Sequence, residues 1–447
     1  MQLKWEIEDK CNLNCKHCIV GSIDYSKSMA LDTAMEVIDK CASSGIDTIA
    51  LTTKEPFMYP HINELIEYSA LHNMQIAILT NGTLINKKNM HTLQKYSSNI
   101  KYLFFSLEGV SEYTNDYVRG EGVFRKVLEV ANEINEINKK NDSFISMVLQ
   151  MNLTSKNYSE VLGMVEKFNT FPFIQVRIGK LEIEGNAILH KELHLDNEDY
   201  KEAIRKLIYT YSQIDKPKYD LIFKSLSLYD TIYLNTIFGT SYKPSIPKCS
   251  VFDGGLSLMN NGDYCSCTQL LDKNLIDKDR LILGNIEDGE RINTNKKLET
   301  TPEMFSYKEN TVCKKCNFRE ICKVCLLTTL SKENNLSQVG QCKVYMDKLD
   351  DLFNAVISKN LSFGFNKNVV IIENNERLIV KNANIADDKN WEYSTDNNQI
   401  KDILKKIYKS GYVQYEDLKD EFKGIEVYNC IYEWMYSSLI VVNNVEY

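Results

Sequence analysis

The sequence contains no run of about 18 apolar residues, which excludes a membrane-spanning helix. Its first residues, Met1-Gln2-Leu3-Lys4-Trp5, lack the apolar stretch of a secretory signal and lead straight into a strand-like segment, so the chain is expected in the cytoplasm. Positive charge is in deficit: 53 Lys and Arg stand against 61 Asp and Glu, a net charge of −8. That balance speaks against a nucleic-acid partner, whose phosphates call for a basic stripe. What is present, 43% hydrophobic and 26% charged residues, is an ordinary globular composition. At 447 residues the chain exceeds one core, and two or three domains are expected.

Thirteen cysteines would suit a secreted disulfide scaffold, but the length, the missing signal and the spacing oppose that reading. Eleven of the thirteen fall into two groups, leaving only Cys41 and Cys430 apart. Clustered thiols in a reducing compartment bind metal more often than they pair. Cys41 and Cys430 lie inside helical patterns, and both are expected as small buried side chains.

The first group is Cys11-Asn12-Leu13-Asn14-Cys15-Lys16-His17-Cys18, directly after the strand-like run 3–7. A cubane iron–sulfur cluster takes four ligands, so three cysteines leave one iron open, as a catalytic metal site keeps a free position. Zinc held by the three cysteines and His17 is the alternative, although tetrahedral zinc sites draw ligands from separated pairs. A disulfide would leave one thiol over. Cys-x3-Cys-x2-Cys just after a first strand resembles the signature of radical S-adenosylmethionine (SAM) enzymes. The resemblance implies that the open iron chelates the amino and carboxylate groups of SAM. An electron from the cluster then yields a 5′-deoxyadenosyl radical that takes hydrogen from a substrate. It also implies an electron donor such as flavodoxin or ferredoxin, and it sets His17 against the adenine.

From residue 1 to about 180, strand-like runs (3–7, 48–51, 75–79, 102–106, 145–151, 174–178) alternate with helical patterns (34–41, 62–71, 124–137, 158–168). Such alternation predicts parallel strands with crossover helices, and ligands then sit at the strands' carboxyl ends. Six units match the partial (β/α)6 barrel of the radical SAM family. Thr53-Lys54-Glu55-Pro56 follows the second strand where the family has Gly-Gly-Glu-Pro against the SAM amino group; Glu55 and Pro56 match, Thr53 and Lys54 do not. Thr80-Asn81-Gly82-Thr83 resembles the family's turn at the cofactor rim. Ser106-Leu107-Glu108-Gly109 resembles Ser-x-Asp-Gly, which faces ribose and methionine, with Glu108 as a longer acid. Arg119-Gly120 resembles an Arg-Gly near the SAM carboxylate. The resemblance thus implies cofactor contacts from His17, Glu55, Pro56, Asn81, Ser106, Glu108 and Arg119. Gln150-Met151-Asn152 and Gly185-Asn186-Ala187, at the fifth and sixth strand ends, carry no chemistry that can be assigned from sequence.

The second group comprises Cys249, Cys265, Cys267, Cys313, Cys316, Cys322, Cys325 and Cys342. Zinc ribbons separate their Cys pairs by about 12–20 residues; only five lie between Cys316 and Cys322. Eight thiols match the need of two four-ligand clusters. The pattern resembles the SPASM domain, which carries auxiliary [4Fe–4S] clusters in peptide-modifying radical SAM enzymes. Carried over, Cys313, Cys316, Cys322 and Cys342 hold an outer cluster, and Cys249, Cys267 and Cys325 an inner one. Cys265 is read as the inner cluster's fourth ligand; the alternatives are a catalytic hydrogen-atom donor or an inert thiol. The family spaces the cysteine matched by Cys325 three residues on, not two.

In the last hundred residues, a hairpin over 369–380 about Asn374-Asn375 precedes three helical patterns and a strand over 439–442. This order predicts a small winged-helix-like α+β domain. Glu426, Tyr428, Asn429 and Glu433 on the third helix oppose DNA binding. The arrangement resembles the leader-binding element of ribosomal peptide maturases, with pockets near Ile431 and Trp434. The expected domains are 1–195 (barrel), 196–247 (bridge), 248–358 (auxiliary clusters) and 359–447 (leader element). The expected function is a radical SAM/SPASM enzyme that crosslinks a ribosomally made precursor peptide through a thioether or carbon–carbon bond. A peptide epimerase, a formylglycine-forming maturase and a non-catalytic redox relay are the alternatives.

Overall fold

The computed structural model describes residues 1–20, 28–140, 144–224, 226, 228–242, 251, 255–268, 277–294, 308–316, 318–320, 322, 326, 337–358, 361–374, 376–385, 391–421 and 427–445. Seven strands, β1 (Gln2–Trp5), β2 (Thr48–Leu51), β3 (Gln75–Thr80), β4 (Ile100–Ser106), β5 (Met147–Leu153), β6 (Gln175–Lys180) and β7 (Asp220–Phe223), pair in parallel in chain order. Between them run α1 (Leu31–Ser43), α2 (Ile62–Leu71), α3 (Lys87–Lys95), α4 (Glu112–Arg119), α5 (Val123–Lys140), α6 (Val161–Phe168) and α7 (Asn197–Ser212). The strands follow from apolar runs too short for helices, covered by helices such as α1, whose buried Ala34, Val37, Ile38 and Cys41 recur at i, i+3, i+4 and i+7. Among the described residues, no helix is long and apolar enough to cross a membrane.

The barrel half therefore has seven parallel strands where the sequence predicts six. β7 comes from the segment expected as a bridge, and Tyr200, Ala203, Ile204, Leu207 and Ile208 of α7 join the same core. Three further strands extend the sheet beyond β1: β8 (Leu256–Leu258), β9 (Asp263–Cys265) and β10 (Ile282–Asn285). β8 lies parallel to β1, and β9 and β10 continue antiparallel, so both cysteine-bearing halves share one ten-stranded sheet.

The rest of the bridge serves a second core. In α8 (Leu228–Phe238), Leu228, Tyr229, Ile232 and Ile237 pack with Tyr345, Leu349, Leu352 and Val356 of the helix Ser337–Ile357 and with the C-terminal elements. Those elements form two three-stranded sheets. One is β11 (Ser362–Phe365) between β15 (Tyr412–Gln414) and β16 (Ile440–Asn443); the other is β12 (Val369–Glu373), β13 (Leu378–Asn382) and β14 (Glu392–Thr395). The expected hairpin is present as β12–β13, but it pairs with β14 and not with the strand after the last helix. The second expected helix is one turn, Tyr415–Leu418, while Asn398–Ser410 and Val427–Tyr436 match the other two. Ile431 and Trp434 are both 0% exposed. Both belong to the second core.

Candidate active site

At the carboxyl ends of the parallel strands lies a cavity of about 830 Å³, lined by Cys11, Cys15, Cys18, His17, Asn81, Ser106, Glu108, Arg119 and residues of the later strands, among them Gln150, Asn152, Lys180 and Lys224. The cysteine loop on one wall is held from four sides. Buried Glu8 turns the chain into it, accepting hydrogen bonds from the amides of Asp9 (2.9 Å) and Lys10 (3.1 Å) and from the Ser28 hydroxyl (2.6 Å). Asn81 Nδ2 donates to Asn12 Oδ1 (2.9 Å) and approaches Cys11 Sγ (3.8 Å). The Lys16 amide bonds the carbonyl of Val118 on α4 (2.9 Å). Asn186 completes the clamp: its Nδ2 donates to the Cys15 carbonyl (3.1 Å) and its amide to the Cys18 carbonyl (2.9 Å).

Gly185-Asn186-Ala187, to which no chemistry could be assigned from sequence, is the element that braces Cys15 and Cys18. Gly185 has φ +55°, and a Cβ there would lie 2.4 Å from the Cys18 carbonyl oxygen. Only glycine permits so close an approach.

Glu55 does not line the cavity. Its carboxylate is 0% exposed and fully engaged, accepting from the amides of Phe57 (3.0 Å) and Asn81 (2.7 Å) and the Thr80 hydroxyl (2.7 Å). It ties the ends of β2 and β3 together, and Pro56 opens the short turn behind it. Burial raises the Glu55 pKa, and those three donors oppose the rise. The cavity wall here is Thr52, Thr53 and Lys54. Thr53 and Lys54 hold φ +66° and +51°, so the left-handed backbone persists without the two glycines that would adopt it freely. Each such residue costs on the order of 1 kcal/mol or more. The double variant Thr53→Gly/Lys54→Gly is accordingly expected to gain about 1 kcal/mol of stability in a denaturant titration. A loss would mean that the side chains offset the strain.

Glu108, Arg119 and His17 form one buried group. Glu108 Oε1 lies 2.8 Å from an Arg119 guanidinium nitrogen and 3.0 Å from His17 Nε2, and its Oε2 accepts from the Asn152 amide (2.7 Å). The 3.4 Å approach of Arg119 to His17 Nε2 is a contact only, because that nitrogen donates to the carboxylate, the better acceptor. Burial pushes the Glu108 carboxyl up; His17 and Arg119 outweigh it and hold the pKa well below the usual range. Two atoms of this group, His17 Nδ1 and Arg119 Nε, are buried without a hydrogen-bond partner. A polar ligand in the cavity would supply those partners.

Burial pushes the Cys15 thiol up to about 11 and raises that of Cys11 as well. Metal loading must therefore displace protons from them. Among the described residues, no group of three or more His, Cys, Asp or Glu side chains is gathered tightly enough for a single metal ion. A cluster presents a separate iron to each thiolate and asks for a wider spread.

Residues 5–166, a little over a third of the chain, match the model of the Radical SAM superfamily. These residues form a radical SAM domain. For the [4Fe–4S] cluster and SAM that the superfamily's name implies, the cysteine loop, the two unpartnered atoms and the cavity are a fitting set. Among curated proteins the chain is similar to the antilisterial bacteriocin subtilosin biosynthesis protein AlbA of Bacillus subtilis, 28% identical over 165 residues, 36% of this chain and 35% of that one. It is also similar to the Fe-coproporphyrin III synthase of Methanosarcina barkeri, 33% identical over 127 residues, 28% of this chain and 31% of that one. The chain thus spans about a third of the length of these relatives. Its fold is similar to that of Streptococcus suis SuiB bound to its precursor peptide SuiA, with TM-score 0.55 and 15% identity over 74% of this chain and 73% of that one. The radical SAM domain alone does not select a substrate, since a peptide-bacteriocin protein and a porphyrin enzyme both match it.

The second cysteine group is described in part. Cys249 and Cys325 lie outside the described residues. Cys313, Cys316, Cys322 and Cys342 come close enough for the charge of each to act on the others. Cys265 ends β9, is 0% exposed and does not line the cavity, while Cys267 follows it half-buried. None of the described cysteines is paired in a disulfide.

Proposed function

We propose that this is a peptide-modifying radical SAM enzyme with auxiliary [4Fe–4S] clusters, which crosslinks a ribosomally made precursor. The observation that carries the reading is that Cys316 and Cys342, 26 positions apart, pack against one core with Tyr229 of α8, and that the charges of Cys313 and Cys322 also bear on Cys342. Four thiolates match the ligand count of a closed cluster, unlike the three beside the cavity. When bound, the N-terminal cluster and SAM supply one-electron cleavage chemistry that ends in hydrogen-atom abstraction. The chain's own part is to hold that cofactor pair with the cysteine loop and the Glu108 group, and to seat substrate against Gln150, Lys180 and Lys224. Crosslinking is preferred to epimerisation here because Cys265, the thiol that would donate hydrogen, is buried on β9 and is not among the cavity's lining residues.

The test is twofold. Anaerobically isolated protein should hold about twelve irons per chain, and the Cys11→Ala/Cys15→Ala/Cys18→Ala variant about eight, with 5′-deoxyadenosine formation on dithionite lost. A precursor peptide encoded beside the gene and co-expressed with the enzyme should lose two hydrogens by mass. Unchanged mass with deuterium uptake from heavy water would replace crosslinking by epimerisation.

The precursor's leader would lie along β12, an edge of its three-stranded sheet among the described residues, where Val370 and Ile372 stand 38% and 43% exposed. An edge strand binds an extended segment through main-chain bonds. Deleting residues 359–447 would strip the apolar face of α8, so Val370→Lys/Ile372→Lys is the cleaner variant. It should weaken precursor binding about tenfold in anisotropy titrations while 5′-deoxyadenosine formation stays unchanged.

A further inference from the structure

α8 presents a tyrosine to a cysteine. Tyr229 Oη lies 3.0 Å from Cys316 Sγ, and the Phe318 amide donates to the same sulfur at 3.3 Å. Tyr229 is 2% exposed, and its ring is fixed edge-on between Phe318 (5.5 Å) and Tyr436 (6.0 Å). An ordinary phenol is protonated at working pH and a thiolate is an acceptor, so the hydroxyl donates to the sulfur. The next residue, Asp230, is a buried acid whose charge bears on Cys342.

We infer that Tyr229 sets the reduction potential of the cluster held by Cys313, Cys316, Cys322 and Cys342, through its hydrogen bond to the Cys316 sulfur. The inference rests on the proposal that these four cysteines hold a cluster. Hydrogen bonds to cluster sulfurs stabilise the more negative, reduced form and raise the potential. A fixed negative charge does the reverse. One helix turn thus supplies two opposed influences, a donor at Cys316 and an acid near Cys342. Because the phenol sits in a packed aromatic cage, the donor cannot swing away when the cluster's charge changes. Tyr229 is a positioning residue here; it does not line the cavity.

The test uses the anaerobically reconstituted full-length enzyme. In a potentiometric titration followed by electron paramagnetic resonance, Tyr229→Phe should lower the midpoint of one auxiliary cluster. At fixed potential its reduced fraction relative to oxidised should fall about tenfold, ~59 mV for one electron. Iron content and the SAM-bound cluster's signal should be unchanged, and Asp230→Asn should move the same midpoint upward. An unmoved midpoint in Tyr229→Phe at full iron content overturns the inference. Loss of four irons in that variant also overturns it, making the hydroxyl a structural support. The underlying cluster is checked separately by Cys316→Ser: full iron there would remove the cluster itself.

Discussion

Replacing Gly185 with alanine is expected to lower 5′-deoxyadenosine formation by about 100-fold or more, with partial loss of the iron held at Cys11, Cys15 and Cys18. The left-handed φ of +55° is the smaller reason, worth on the order of 1 kcal/mol. The larger one is contact with backbone: the new methyl would stand 2.4 Å from the Cys18 oxygen, 2.5 Å from that of Ile19 and 2.6 Å from the Ile19 carbonyl carbon. None of those atoms belongs to a side chain that can rotate aside. Either the Gly185–Asn186 turn retreats and loses its bonds to the Cys15 and Cys18 carbonyls, or the cysteine loop shifts, carrying Cys18 with it. Gly163→Ala is the control. That residue lies exposed on α6 with nothing near its would-be Cβ, and the change should be neutral or stabilising by about 0.5–1 kcal/mol. Iron analysis and product formation together read the result. A Gly185→Ala enzyme with full iron and normal cleavage would show that the loop does not need its brace.

The second large effect belongs to Glu108→Gln. Arg119 would keep its buried guanidinium, 7% exposed, without a counter-charge. Breaking one side of a buried pair costs about 3–5 kcal/mol, which should lower the unfolding midpoint of the barrel half by about 10 °C. The pH dependence follows from the same group. Its folded pKa is depressed below the unfolded value, so the stabilisation is full above the unfolded pKa of about 4.5 and is lost as pH falls toward the folded one. Glu108→Gln should therefore flatten that part of the stability–pH curve on the acid side. Equal acid sensitivity in the variant and the parent would move the effect to other carboxylates. Glu108→Asp tests reach: the shorter acid bonds Arg119 or the Asn152 amide, not both with His17, and should fall between the two.

The barrel strands were legible because each is a short apolar run bounded by a helical pattern. The cysteine loop was legible because its ligands are three and four positions apart. What stayed hidden depends on partners remote in sequence. Asn186 bonds Cys15, which is 171 positions away, and no local pattern announces that. Glu55 reads as a ligand contact from its neighbours, and no local pattern announces that donors of Thr80 and Asn81 close over its carboxylate. Thr53 and Lys54 looked like a departure that would alter the backbone, whereas the surrounding fold imposes the positive φ on them. β7, inside the segment expected as a bridge, follows a Lys216-Pro217-Lys218 turn and is only four residues long, and β11, for which no strand was expected, contains Gly364. β11 forms because residues of β15 and β16 arrive on either side of it.

The position of β1 inside the sheet, between β2 and β8, bears on how the chain reaches its native state. Leu3 pairs on one edge with Ile49 and on the other with Leu256, positions 253 apart. Translation at about 5–20 residues per second leaves that second edge unsatisfied for roughly 13–50 s. During that interval the strand leading into the cysteine loop presents bare amides and carbonyls along one side, the template on which chains aggregate. Contacts of such long range form late, since loop closure must precede any gain from them. The ribosome-bound half therefore waits for residues 256–258 before the cysteine loop is backed by a completed sheet, and iron delivered earlier would meet an unfinished nest.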